Sequence, residues 1–190
     1  MFDADNLKDH TDFTQLCNRL MSKPFKCVCI FADNSGFDVI LGVLPLIVEL
    51  LKSSERTKVI LCSNTSAAIN DITHGELLLL IKKACSLNAT LNECMNTRLM
   101  LIDSGSTSPC LDMSRINKDL ADLVANSQLD LIILEGMGRA VHTNLDAKFA
   151  CSSLKAAVLK NKWLADRLAD KCCVHNCVDK FPFIFKYEEN

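Results

Sequence analysis

No apolar run in the 190-residue chain is longer than the ten residues from Val39 to Val48, against the roughly 20 that a membrane-spanning helix requires. No membrane span or membrane partner is therefore expected. An excess of either charge is also missing: 21 Lys and Arg stand against 23 Asp and Glu, a formal net charge of −2. Without a basic footprint, nucleic acid is not an expected partner. Internal repeats and linker-like Pro/Gly/Ser stretches are lacking too, which favours one folded unit. The opening residues MFDADNLKDH are acidic and hold no apolar stretch, so no secretory leader is expected.

Cysteine is plentiful, yet it does not form a disulfide framework. Eleven cysteines in 190 residues are about 6%, below the roughly 8–10% of disulfide scaffolds. The count is odd, and Cys27, Cys29 and Cys62 lie in apolar runs, where a thiol behaves as a small hydrophobe. A reducing, cytoplasmic setting is the expectation. The cluster Cys172-Cys173-Val174-His175-Asn176-Cys177 has no second ligand pair at zinc-finger spacing. It is expected to be an exposed insertion at the amino edge of the sheet, away from any active site.

What is present reads as an α/β domain. Hydrophobic residues make up 49% of the chain and charged residues 23%, ordinary for a globular fold. Short apolar runs alternate with amphipathic stretches. Strands are expected at residues 26–32, 58–62, 98–102, 130–134 and 182–187. Helices are expected at 37–52, with Pro45 kinking it or splitting off its first turns, and at 69–86, 114–125 (capped by Ser114) and 152–169. The strands are continuously apolar, as parallel strands covered on both faces should be. Residues 1–25 form a polar lead-in expected to be helical, and 26–190 the core.

Open parallel sheets bind ligands at the carboxyl ends of their strands. Polar clusters sit at those ends: Asp33-Asn34, Ser63-Asn64, Ser104-Gly105-Ser106 and Glu135-Gly136. Asp33, Asn34 and Asp71 are hard oxygen donors that suit Mg²⁺ or Mn²⁺. Asp and Asn after a strand are also ordinary caps of the next helix, and spacing alone leaves both readings open. Gly136-Met137-Gly138-Arg139 gives room for close backbone approach and a guanidinium that suits phosphate. It is not a dinucleotide fingerprint, because G-x-G-x-x-G fails at Val141. Lys155 and Lys160 read by default as surface lysines on the helix 152–169. His74 and His142 are candidates for proton transfer, with a structural hydrogen-bonding role as the alternative. No cysteine stands in a C-x₅-R loop, so a thiol phosphatase is unsupported.

The segments FADNSGFDVILGVLPLIVELL, INDITHGELLLL, SGSTSPCLDMSRINKDLADLV, LEGMGRAVHTN, SLKAAVLKNKWLADRL and FIFKYE, in that order, resemble the damage-control phosphatase family. The match is to the subgroup marked by Glu-Gly-Met-Gly-Arg. The resemblance implies a three-layer Rossmann-like fold with a mostly parallel sheet, lacking most of the family's N-terminal helical region. It implies a metal-dependent phosphomonoester hydrolase acting on a small phosphate ester, 4′-phosphopantetheine or its oxidised or damaged forms, in coenzyme A metabolism. The divalent cation (Mn²⁺, Co²⁺, Ni²⁺ or Mg²⁺) maps onto Asp33, Asn34 and Asp71. Catalytic roles map onto Asp33, Arg139 and Lys155. Substrate contacts are expected from Asn64, Ser104, Glu135, Gly136, Met137, Gly138, Arg139 and Lys155. The attack on phosphorus comes from either Asp33 or a water molecule.

Three departures from the family pattern are visible. Only about 25 residues precede the core, the loop 62–66 is one residue longer, and the Cys-rich stretch has no counterpart. They support an alternative reading, a weak or inactive phosphatase core acting as a ligand- or partner-binding regulatory protein.

Overall fold

The computed structural model describes residues 11–168, 174–175 and 182–190. Five strands are parallel: β1 (Cys27–Phe31), β2 (Lys58–Ser63), β3 (Leu99–Asp103), β4 (Leu131–Glu135) and β5 (Ser152–Val158). β6 (Val174–His175) and β7 (Phe183–Glu188) add antiparallel pairing at the β5 edge, giving the order β3-β2-β1-β4-β5-β7-β6. The α/β reading with a mostly parallel sheet holds. Strand order reverses between β1 and β4, the switch point at which such sheets open a crevice for ligands.

The pleat explains why the strands read as unbroken apolar runs. Val28 and Ile30 of β1 face one core, whereas Cys27, Cys29 and Phe31 face the other. The first core is covered by α1 (Thr11–Ser22), α2 (Leu44–Ser53), α3 (His74–Cys85) and α4 (Ala89–Cys94) through Leu16, Ile47, Leu77 and Leu91. The second is covered by α5 (Lys118–Asn126) and α6 (Lys162–Leu168) through Leu120 and Ala165. These are the three layers. All eight cysteines among the described residues are free. Cys29 and Cys62 lie Sγ to Sγ at 3.6 Å, and burial pushes the Cys62 thiol up and Cys27 to about 11, which makes them packing groups. No helix among the described residues is long and apolar enough to cross a membrane.

Several elements differ from expectation. Residues 37–52 divide into a π-helical segment, Asp38–Val43, and α2, with Pro45 in the first turn of α2, where its missing N–H costs nothing. Helix α3 starts at His74, not Ile69, because Thr73 and Glu76 form a capping box. Asn117, not Ser114, caps α5. The largest change is at Ser152–Val158, a strand rather than the start of a helix. Its Leu, Lys and Ala residues favour helix by under about 0.7 kcal/mol each. Burying one Leu such as Leu154 contributes about 1.5–3 kcal/mol, so insertion between β4 and β7 prevails.

Because β7 is antiparallel to β5, it begins at the carboxyl edge of the sheet. The expected placement of the Cys-rich segment at the amino edge assumed a parallel last strand, and that premise is overturned. Val174–His175 pairs with Phe183 and Ile184 at the carboxyl edge. Cys172, Cys173 and Cys177 lie outside the described residues. At the other end of β7, Tyr187 N–H donates to Asp12 and Arg19 pairs with Glu189, which fixes α1 against the strand.

Candidate active site

Asp33 and Asn34 follow β1 after the single residue Ala32, and the loop after β2 is laced onto them by backbone bonds. Ile72 N–H donates to the Asp33 carbonyl at 2.9 Å and Ser35 N–H to that of Asn70 at 2.8 Å. Asn34 and Asp71 form an isolated bridge. Residues 68–71 make a tight turn closed by Asp71 N–H to the Ala68 carbonyl at 3.0 Å. Ile69 sits in this turn at φ 57°, a left-handed conformation that costs a β-branched residue about 1–3 kcal/mol. The capping alternative for these residues fails. Thr73 caps α3, and the segment Asp38–Val43 has no side-chain cap.

One guanidinium joins the carboxylates. Arg139 is 2% exposed. It donates to Asp33 Oδ1, to Asp71 Oδ2 at 2.8 Å and to Asn64 Oδ1 at 3.0 Å. Asn64 in turn donates to Asp71 Oδ2 at 3.0 Å. The two glycines of the motif make this closeness feasible. At Gly136, where φ is 91°, a Cβ would overlap the Asp33 carboxylate, and at Gly138 it would overlap the Pro109 carbonyl.

Above this cluster opens a cavity of about 830 Å³, a size that holds a ligand much larger than phosphate. Its acid end is formed by Asp33, Asn34, Asp38, Asp71 and Glu135, beside the glycine turn. Desolvation, opposed by Arg139 and assisted by the Asp71 charge, raises Asp33 to about 6. Desolvation and the charges of Asp33 and Asp38 raise Glu135 to about 7. The site thus concentrates more negative charge than Arg139 neutralises. Asn34 Nδ2 donates to Asp38 at 2.6 Å, which leaves the Asn34 amide oxygen open. With the Asp33 and Asp71 carboxylates at the same end of the cavity it offers hard oxygen donors of the kind a divalent cation takes. Among the described residues no three His, Cys, Asp or Glu side chains are grouped so as to hold a metal ion, so a cation here would rest on two carboxylates, the Asn34 amide and oxygens of water or substrate.

The sign of the pH dependence follows. A carboxyl with a raised folded pKa contributes stability that is fully present below its unfolded value and lost as pH rises through its folded value. Asp33 and Glu135 rise from 3.8 and 4.5 to about 6 and about 7. The metal-free protein should therefore lose stability between about pH 4 and 7 through these groups. Glu188 acts outside this window: burial alone would raise it, but bonds from Lys148 and Lys155 hold it at about 2. Thermal denaturation with and without Mn²⁺ checks the expectation. The Mn²⁺-induced rise in Tm should be larger at about pH 8 than at about pH 5, and an equal rise at both would contradict it.

The expected site residues divide into three groups. Asp33, Asn34, Asp71, Glu135, Gly136, Met137 and Gly138 line the cavity. Asn64 and Arg139 are buried beneath it, so Arg139 is spent on carboxylates and does not reach out to a phosphate. Ser104 lines a separate small cavity, and Gly136 N–H is taken by the Ala156 carbonyl at 2.9 Å. Lys155 requires the clearest correction. It lies on a strand rather than a helix, is fully buried, and gives its Nζ to the carbonyls of Leu145 (3.0 Å) and Ala147 (2.7 Å) and to Glu188 (2.9 Å). Lys160 lines the cavity instead, the one basic side chain there among the described residues. Asp38 and Phe13 were also missed, although Asp38 stands four residues after Asn34, the reach of one helical turn. His142 is exposed, and His74 Nδ1 meets Ser63 Oγ at 3.3 Å, so neither lines the cavity.

Residues 2–172 match the family model described as the damage-control phosphatase ARMT1-like domain. The chain is 36% identical to a mouse (Mus musculus) protein named 4′-phosphopantetheine phosphatase, over 93% of this chain and 26% of that protein. It is 40% identical to a damage-control phosphatase of Arabidopsis thaliana, over 85% of this chain and 42% of that protein. The chain thus spans about a quarter to under half the length of these relatives. Among solved structures, a DUF89 family protein from Pyrococcus horikoshii shares the fold, with a TM-score of 0.61 at 17% identity, covering 83% of this chain and 48% of the other.

Proposed function

Since the chain belongs to the damage-control phosphatase family, we propose that it hydrolyses a phosphomonoester with a divalent cation, and that 4′-phosphopantetheine or an oxidised form is the substrate. The observation that carries this reading is the pair of carboxylates, Asp33 and Asp71, fixed by a buried guanidinium at the acid end of a large cavity. The name of the mouse relative supports the choice of substrate.

A divalent cation held by Asp33, Asn34 and Asp71 would offset phosphate charge and act as a Lewis acid on a phosphoryl oxygen. In the reaction, water oxygen bonds to phosphorus as the ester P–O bond breaks, giving an alcohol and inorganic phosphate. Phosphoryl transfer depends mainly on positioning and charge neutralisation. Arg139 contributes positioning, by setting the spacing of Asp33 and Asp71. Lys160, a flexible ammonium at the cavity wall, contributes charge to the non-bridging phosphate oxygens.

Phosphate release from 4′-phosphopantetheine, measured with and without Mn²⁺, Co²⁺, Ni²⁺ or Mg²⁺, tests the reading. Stimulation by at least one cation is expected, and no release under any of these conditions would overturn it. Lys160→Ala should lower kcat/KM by roughly 10²-fold, mainly through KM, with Tm unchanged because the side chain is exposed. Kinetics equal to the parent would remove Lys160 from the site.

A further inference from the structure

Ile69 is 87% exposed, so its side chain adds little to the core. It nevertheless occupies a position of positive φ, where Gly, Asn or Asp would sit without strain. Folding alone gives no reason for a branched aliphatic residue there. Its location does: Ile69 lines the cavity, two residues before Asp71. The turn that holds it is tied to the site at the Asn70 carbonyl, which accepts from Ser35 N–H, and just after it at Ile72 N–H, which donates to the Asp33 carbonyl. Away from the acid end, the same cavity is lined by Phe13, Val158, Phe183 and Phe185, with Phe13 and Phe185 edge to face at 5.7 Å. One end of the cavity suits a phosphate and a cation, and the remainder suits a carbon chain.

We propose that Ile69 is a specificity-determining residue that packs on a branched aliphatic group next to the esterified phosphate. This rests on the phosphatase reading above. In 4′-phosphopantetheine the CH₂ that carries the phosphate is bonded to a quaternary carbon with two methyl groups. Two residues of chain span at most about 7 Å, so an apolar side chain at position 69 lies within reach of that carbon when the phosphate is at Asp71. Sugar phosphates carry hydroxyls at the corresponding place, which an exposed isoleucine cannot satisfy. The inference therefore selects phosphate esters of branched aliphatic alcohols over phosphorylated polyols.

The test compares the parent protein with Ile69→Gly and Ile69→Asn, both of which keep the turn's backbone accessible. The ratio of kcat/KM for 4′-phosphopantetheine to that for β-glycerophosphate should fall about tenfold in each variant, with the loss in KM. Ile69→Gly should also raise Tm, since the strain is relieved. A ratio equal to the parent's would overturn the proposal. So would an equal loss on both esters, which would mean that the turn merely holds Asp71. If the parent releases phosphate from neither ester, the phosphatase reading fails separately, and calorimetric binding of 4′-phosphopantetheine decides for Ile69. Weaker binding by Ile69→Asn than by the parent would then support the contact. Equal binding, or none by the parent, would overturn it.

Discussion

Asp33→Asn should lower metal-dependent phosphate release by about 10³-fold, because it removes a charged donor from the proposed cation site and the focus of the cluster's negative potential. Asparagine is the informative choice. Its amide oxygen can still accept from Arg139, whereas alanine would leave one arm of a buried guanidinium unpaired, at a cost of about 3–5 kcal/mol. The Asp33 charge is also one cause of the raised Glu135 pKa, so its loss relieves repulsion. The metal-free variant should therefore melt no lower than the parent, while the Mn²⁺-induced rise in Tm disappears. Phosphate release and melting curves at matched Mn²⁺ read both effects. Parent-like turnover, or an undiminished Mn²⁺ effect, would show that the cation is not held by Asp33.

Strands β1 to β4 were legible because burial on both faces writes itself as continuous β-branched and apolar sequence, as in Cys27–Phe31 and Leu131–Glu135. The lining of the acid end was legible for a related reason. In a parallel sheet, whatever polar residue ends a strand must arrive at one edge, which places Asp33, Asn34 and Glu135 together before any contact is known. Strand β5 was not legible. Its Ser-Ser-Leu-Lys-Ala-Ala-Val carries helix-forming residues, and its strand state is imposed by neighbours 20 or more residues away in sequence. That one misreading moved Lys155 onto a surface helix and hid its burial, and it left Lys160 without a place at the cavity. The role of Arg139 was hidden differently. A guanidinium after a Gly-x-Gly turn fits phosphate and carboxylate equally well, and only the tertiary approach of Asp33 and Asp71 decides between them.

That decision makes Arg139 the second large test. Arg139→Met keeps similar bulk but leaves Asp33 and Asp71 facing each other without a cation. The expected loss is about 3–5 kcal/mol, a fall of roughly 10 °C in Tm. Since Arg139 is what opposes the raised pKa of Asp33, the loss should be greater at high pH, where both carboxylates must ionise. Mn²⁺ should restore part of it by supplying the missing positive charge. Arg139→Lys should fall between the two proteins, because an ammonium can approach one carboxylate but cannot replace a planar fork that reaches Asp33, Asp71 and Asn64 at once. A phosphate-binding arginine predicts a different pattern: a higher KM, an unchanged Tm and no rescue by Mn²⁺. Melting curves of the three proteins at about pH 6 and 8, with and without Mn²⁺, distinguish these outcomes. A Tm insensitive to Arg139→Met would show that the guanidinium is not what holds the two carboxylates together.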